Sequence, residues 1–190
     1  NDIIKRHIPC PPLSAQQSIS FFLDTKCGEI DSLISIQEEM ISELLAYKQS
    51  VITEAVTKGL DKKAKMKNSG VEWIGDIPEE WEVCKVKNIF YLSTGTTPKS
   101  FDSINDGEET VNWFTPTEIT KKYAGESNRK ISKLGLQKSS AKLLPKGTIL
   151  LTTRATLGEM SILQNEATTN QGFQSLVPKN STTTEFIYYC

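Results

Sequence analysis

Much of what this 190-residue sequence excludes follows from what it lacks. No apolar run approaches the length of about 18 residues that a membrane span needs. The opening NDIIKRHIPCPPL also lacks the long apolar segment of a signal peptide. A soluble, cytoplasmic chain without a membrane partner is the expectation. Cys10, Cys27, Cys84 and Cys190 are scattered without a C-x-x-C, and His7 is the only histidine. Neither a zinc site nor a disulfide framework is signalled, so all four cysteines read as reduced thiols. Catalytic signatures are missing as well. There is no G-x-x-x-x-G-K-[ST], no H-E-x-x-H, no G-x-S-x-G and no G-x-G-x-x-G. The stretch STGTTPK at 93–99 lacks the spacing of a nucleotide loop, and the acids fall mostly in turns and on helix faces. No catalytic residue, no metal site and no cofactor held by this chain are therefore predicted.

What the sequence does contain is one very long amphipathic stretch. Over 13–58 apolar residues recur at alternating steps of three and four, among them Ile19, Phe22, Leu23, Ile30, Ile34, Ile41, Leu44, Leu45, Val51 and Val56. That spacing lines one face of a helix. Pro11 and Pro12 block an earlier start, Ser14 with Gln17 makes a capping box, and Gly59 with Leu60 supplies a left-handed C-terminal cap with its apolar contact. The spacer helix is thus placed at 14–59. At 1.5 Å per residue it runs roughly 65 Å, too long for one small globule to cover. Its stripe calls for a second helix, with Leu23, Ile30, Ile34, Ile41, Leu44 and Val51 as pairing positions and Gly28, Ser35 and Gln37 as polar breaks that set register.

Around the helix the composition changes. Residues 1–13 read as a short strand running into the prolines, the tail of a preceding domain, and the basic, polar 60–70 as a linker. From 71 to 190 short apolar runs alternate with turns, which predicts a mixed, β-rich domain and an α+β class overall. Residues 82–92 fit a strand or a strand preceded by a helical turn and are read as strand, Asn105-Asp106-Gly107 reads as a turn, and VNWFTP after it as strand. The clearest β signal is a hairpin, 148–153 and 160–163, joined by a turn at 155–158. Residues 174–177 read as another strand and 184–189 as the start of a helix or strand. Trp73, Trp81 and Trp113 each lie in an apolar run and are expected in the core.

Charge is unevenly spread within that domain. Residues 72–109 hold nine acids against three bases, whereas 110–163 hold nine bases against three acids. Such a basic stretch is either a solvated face or a phosphate-contacting surface. Lys130, Lys133, Lys138 and Lys142 are the phosphate candidates. Loops rich in hydroxyls, amides and cations occur at 94–99, 115–122, 129–142, 152–156 and 168–174. Side chains of that kind position phosphates and read base edges. Thr94, Thr96 and Thr97 form one candidate reading loop. Arg154, in the hairpin turn beside Thr152, Thr153 and Thr156, is either a guanine reader or a structural residue that caps the turn or pairs with Glu159.

Four motifs, in order, carry a resemblance: PPLSAQQSISFFLDTKCGEIDSLISIQEEMISELLAYKQSVITEAVTKGLD, MKNSGVEWIGDIPEEWEVCKVK, SSAKLLPKGTILLTTRATLGEMSIL and ATTNQGFQSLVP. Together they resemble the specificity (S) subunit of type I restriction-modification enzymes over nearly the whole chain. The resemblance implies target-recognition domains that each read half of a split sequence in double-stranded DNA, held apart by two conserved helices packed antiparallel. It implies no catalysis in the chain itself. Modification (methyltransferase) subunits would use S-adenosylmethionine, and restriction subunits would use ATP and magnesium. On this reading 14–59 is a conserved helix, pairing with a second such helix or another copy of the chain, and 71–190 is a recognition domain truncated before its end. The alternative is a helix-pairing module that does not bind DNA by itself.

Overall fold

The computed structural model describes residues 7–98, 109–179 and 184–190, and the chain divides into two units, Asn1–Thr53 and Glu54–Cys190. The first is almost entirely helix α1, which spans Leu13–Lys58. None of its residues is buried, and Leu23, Ile30, Ile34, Ile41, Leu44 and Val51 are each about half exposed. The predicted apolar stripe is therefore present and uncovered. Both ends of α1 differ in detail from expectation. The helix starts one residue earlier than predicted, with the Gln16 amide donating to the Pro12 carbonyl at 3.0 Å. In place of a Ser14–Gln17 capping box, Gln16 Nε2 donates to the Pro11 carbonyl at 2.7 Å. The C-terminus closes on Gly59 at φ 75° as predicted, but Leu60 is 91% exposed. The ring of Trp81 packs against Gly59 instead, 3.3 Å from where a Cβ would sit. No helix among the described residues is long and apolar enough to cross a membrane.

In the second unit the first strand falls where a plain linker was expected. Strand β1, Met66–Asn68, pairs antiparallel with β2, Asp76–Pro78, around a tight turn at 69–75. Sequence alone hid it because the strand is three residues long and wholly exposed, which leaves no alternation to read. Over 82–92 the strand reading gives way to the other one, a helical turn, α2 at Val86–Ile89, followed by a strand, β3 at Phe90–Thr94. The 105–107 turn and residues 1–6 lie outside the described residues. No strand occurs over 7–12.

Two sheets follow. Strands β4 (Thr110–Phe114), β6 (Arg129–Ser132) and β9 (Ala167–Thr169) form one, with β4 central, antiparallel to β6 and parallel to β9. The other runs in the order β3, β10 (Phe173–Pro178), β7 (Ile149–Thr152), β8 (Met160–Leu163), β5 (Tyr123–Ala124). Helix α3 (Lys133–Lys138) follows β6, and α4 covers Thr184–Ile187. The β7–β8 hairpin and the strands at 110–114 and 173–178 lie where the sequence put them. Strand β7 shows why a continuous apolar run marks a covered strand. Neighbouring residues on a strand point to opposite faces, and here Leu150 enters a cluster with Phe114, Ile119, Leu163, Ala167 and Phe173. Ile149 enters another with Phe90, Ile162 and Leu176.

The tryptophans part company. Trp113 is buried with Val111 and Ile131, and Trp81 is half-buried, edge-on to Phe186 at 6.2 Å. Trp73 contradicts the expectation of a core position: it is 81% exposed on the 69–75 turn, whose residues are too few to fold a core around it. The core assignment is tested by Leu150→Ala, which should lower unfolding free energy by about 2–5 kcal/mol in chemical denaturation. Leu157→Ala, at an exposed site, should change it by less than about 0.5 kcal/mol.

Candidate nucleic-acid interface

Strand direction decides which loops meet. Strands β4 and β9 are parallel and end side by side at Phe114 and Thr169. Across β10, Thr94 at the end of β3 faces Gln174, and Thr152 at the end of β7 faces Phe173. The connections 95–98, 115–118, 153–159 and 170–172 therefore all leave the sheets at one edge. A loop's backbone amides must find acceptors there, and at this edge neighbouring strand ends and another loop provide them. Thr96 N donates to Thr169 O at 2.8 Å, Asn170 N to Phe114 O at 3.0 Å, and Thr153 N to Gly172 O at 2.8 Å. Side chains add to the knit: Trp113 Nε1 donates to Thr96 O at 3.1 Å, and Thr156 Oγ1 to Pro116 O at 3.2 Å. The loops pass so close that Gly95 has no room for a side chain. A Cβ there would lie 2.1 Å from Asn170 O, and one on Gly172 would lie 2.6 Å from Pro116 Cγ.

Within this platform each loop is also held locally. Asn170 Oδ1 accepts from Gly172 N at 2.8 Å, closing a three-residue turn that presents Gln171 to solvent. Thr97 Oγ1 donates to Gln171 Oε1. The hairpin turn after Thr152 uses left-handed backbone at Ala155 (φ 61°) and Gly158 (φ 91°), with the Thr152 hydroxyl donating to the Thr156 carbonyl. Glu118 ties two loops together, accepting from Thr115 N at 2.7 Å and from Asn128 N at 2.6 Å.

The structure brings Thr94, Thr96, Thr97 and Arg154 to this one edge, although they come from two separate stretches of sequence. Arg154 is exposed and makes neither a hydrogen bond nor an ion pair with a described residue, so it does not pair with Glu159. The lysines chosen as phosphate candidates are arranged differently. Lys130 pairs with Glu126 at 2.7 Å, and Lys133 pairs with Glu109, whose hydrogen bond and charge raise the lysine pKa above its ordinary value. Since β6 runs from Arg129, opposite Trp113, to Ser132, opposite Thr110, Lys133, Lys138 and Lys142 follow the strand's far end. They are not gathered with Arg154. Gln171 was not singled out from the 168–174 loop in the sequence; the available sign was an Asn-x-Gly turn between two strand signals. Outside these loops in sequence, Lys122 lies 4.4 Å from the Tyr189 ring centre and 3.2 Å from its hydroxyl, with Tyr123 and Tyr188 also close. Burial draws its pKa down, but the phenols outweigh that and the net shift is upward.

A family described as the type I restriction modification DNA specificity domain matches residues 78–190, a span that contains every loop of the platform. The chain belongs to this family. Among curated relatives of this specificity-domain chain, the type I restriction enzyme MjaIX specificity subunit of Methanocaldococcus jannaschii is 37% identical over 119 residues, covering 61% of this chain and 27% of the relative. The EcoBI specificity subunit of Escherichia coli is 27% identical over 176 residues, covering 86% and 35%. The chain thus spans about a quarter to a third of the length of these relatives. A crystal structure of the HsdS subunit from Thermoanaerobacter tengcongensis shares the fold at TM-score 0.56 and 16% identity, over 96% of this chain and 41% of that one. A second solved chain, from work on complex assembly and conformational transition of the type I R-M system, gives TM-score 0.57 at the same identity and coverage.

The platform's close packing has a direct test. Gly95→Ala should cost about 1–3 kcal/mol of stability in denaturant titration, since the added methyl meets backbone rather than a flexible side chain. Gly28→Ala, in open helix, should instead stabilise by about 0.5–1 kcal/mol.

Proposed function

We propose that this chain is a sequence-specific DNA recognition part of a type I restriction-modification system. It reads part of a split duplex target and docks the methyltransferase subunits that carry the chemistry. The observation that carries this reading is the knitted platform, where hydroxyls, amides and Arg154, unpaired among the described residues, are presented from interlocked loops at one strand edge. Rigid presentation lowers the ordering cost of each base contact. S-adenosylmethionine, ATP and magnesium belong on this reading to the partner subunits, and the chain works in the cytoplasm. The stripe of α1 supports a pairing role, with a second conserved helix or another copy of the chain burying it. An apolar surface of this length is more than a lone soluble chain exposes.

Three outcomes test the proposal. Affinity for a duplex should fall steeply with added salt, and each lysine that holds a phosphate should contribute about 0.9 to the logarithmic slope. Replacing Lys130, Lys133, Lys138 and Lys142 together with Gln should flatten that slope; an unchanged slope removes them from the interface. In a complex with its modification subunits, Arg154→Ala should relax methylation at one position of one half-site by about 1–3 kcal/mol of discrimination. Uniform loss at every site would assign Arg154 a structural role. Sedimentation of the chain should show a dimer or larger species, and Ile41→Asp with Leu44→Asp should dissociate it by placing unpaired charge in the seam.

A further inference from the structure

Resting on the DNA-recognition reading, the geometry points to Gln171 as a base-reading residue, directed at an adenine edge and aimed by Thr97. An exposed glutamine ordinarily samples many rotamers. Gln171 does not have that freedom at either end. Its backbone sits in the turn closed by Asn170 Oδ1 and Gly172 N, and the flanking residues are fixed by Asn170 N on Phe114 O and Thr153 N on Gly172 O. Its side-chain amide is fixed by the Thr97 hydroxyl, which donates to Oε1 across 74 residues of sequence. A hydrogen bond between two exposed side chains adds little to stability, so holding this amide is of more use to a ligand than to the fold. The bond also sets which way the amide faces. With Oε1 accepting from Thr97, one lone pair of that oxygen and both Nε2 hydrogens remain for a partner. An acceptor and a donor side by side match the N6 amino group and N7 of adenine, the bidentate pairing open to Gln in the major groove. Arg154 stands two residues beyond Thr152 on the loop bonded to Gly172, which puts a guanidinium and an oriented amide on the same rigid edge. Thr97 acts through Gln171 and is a positioning residue.

The test uses the chain assembled with its modification subunits. Duplexes of random sequence are selected by binding, and the positions specified by the wild type are read from the retained pool. Gln171→Ala should erase preference at one adenine, by between about 5-fold and about 150-fold, with the other positions kept. Placing 7-deazaadenine at that position should weaken the wild type and leave Gln171→Ala unaffected, because the N7 acceptor is gone. Thr97→Val should reduce preference at the same position only, and by less. Gln171→Glu keeps the shape but exchanges the donor for an acceptor and should shift the preference from adenine toward cytosine; it serves also if the alanine variant does not fold. An unaltered adenine preference in Gln171→Ala and Gln171→Glu, or a uniform weakening with a flatter salt slope, overturns the inference while leaving the proposed function standing. A wild type that selects no sequence at all overturns both.

Discussion

The constraint on which the second unit depends is the satisfaction of backbone amides where strands end. A strand passes its amides to its neighbours, but a loop leaving a sheet has none, and buried amides without acceptors are costly. This fold answers by ending β3, β4, β7 and β9 at one edge, so that strand ends and a neighbouring loop supply the acceptors: Thr169 O takes Thr96 N, Phe114 O takes Asn170 N, and Gly172 O takes Thr153 N. The glycines at 95 and 172 follow from that solution, because loops close enough to exchange hydrogen bonds leave no room for a Cβ. A closely knit, polar surface is the by-product, and it is the surface to which the proposed DNA reading is assigned.

The first unit is governed by the opposite condition. Helix α1 satisfies its own backbone along its length and leaves only side chains to be covered, and none of them is buried. Its ends illustrate how local such a helix is. Gln16 closes one through the Pro11 carbonyl, and Gly59 closes the other in a left-handed conformation that other residues adopt only at a cost. The bonds that close the helix ends are local, whereas Thr96 N, Asn170 N and Thr153 N reach acceptors far away in sequence.

That difference explains what could be read from the sequence. The helix, the β7–β8 hairpin and strands 110–114 and 173–178 were legible because periodicity and turn chemistry are local signals. The four ordered motifs also made the family legible. Strand β1 was not, since three exposed residues carry no pattern, and the exposure of Trp73 was not, since an apolar neighbourhood in sequence does not make one in space. Of the site, Thr94, Thr96, Thr97 and Arg154 were found as separate loops. Their convergence, and the place of Gln171 among them, depends on which strand ends meet. For the lysines, charge density chose Lys130 and Lys133, and the structure adds that each has a carboxylate partner, Glu126 and Glu109.

The contact between Thr97 and Gln171 has a kinetic side. Closing a chain segment of 74 residues costs more entropy than closing the hairpin turn at 153–159, and the cost falls due before the contact returns anything. Local pieces such as the β7–β8 hairpin can therefore form early, while the loop edge waits for strands from distant parts of the sequence to take their order. On loop-closure grounds the edge shared by 95–98 and 170–172 is the last part of the unit to order, after the secondary structure on either side of it.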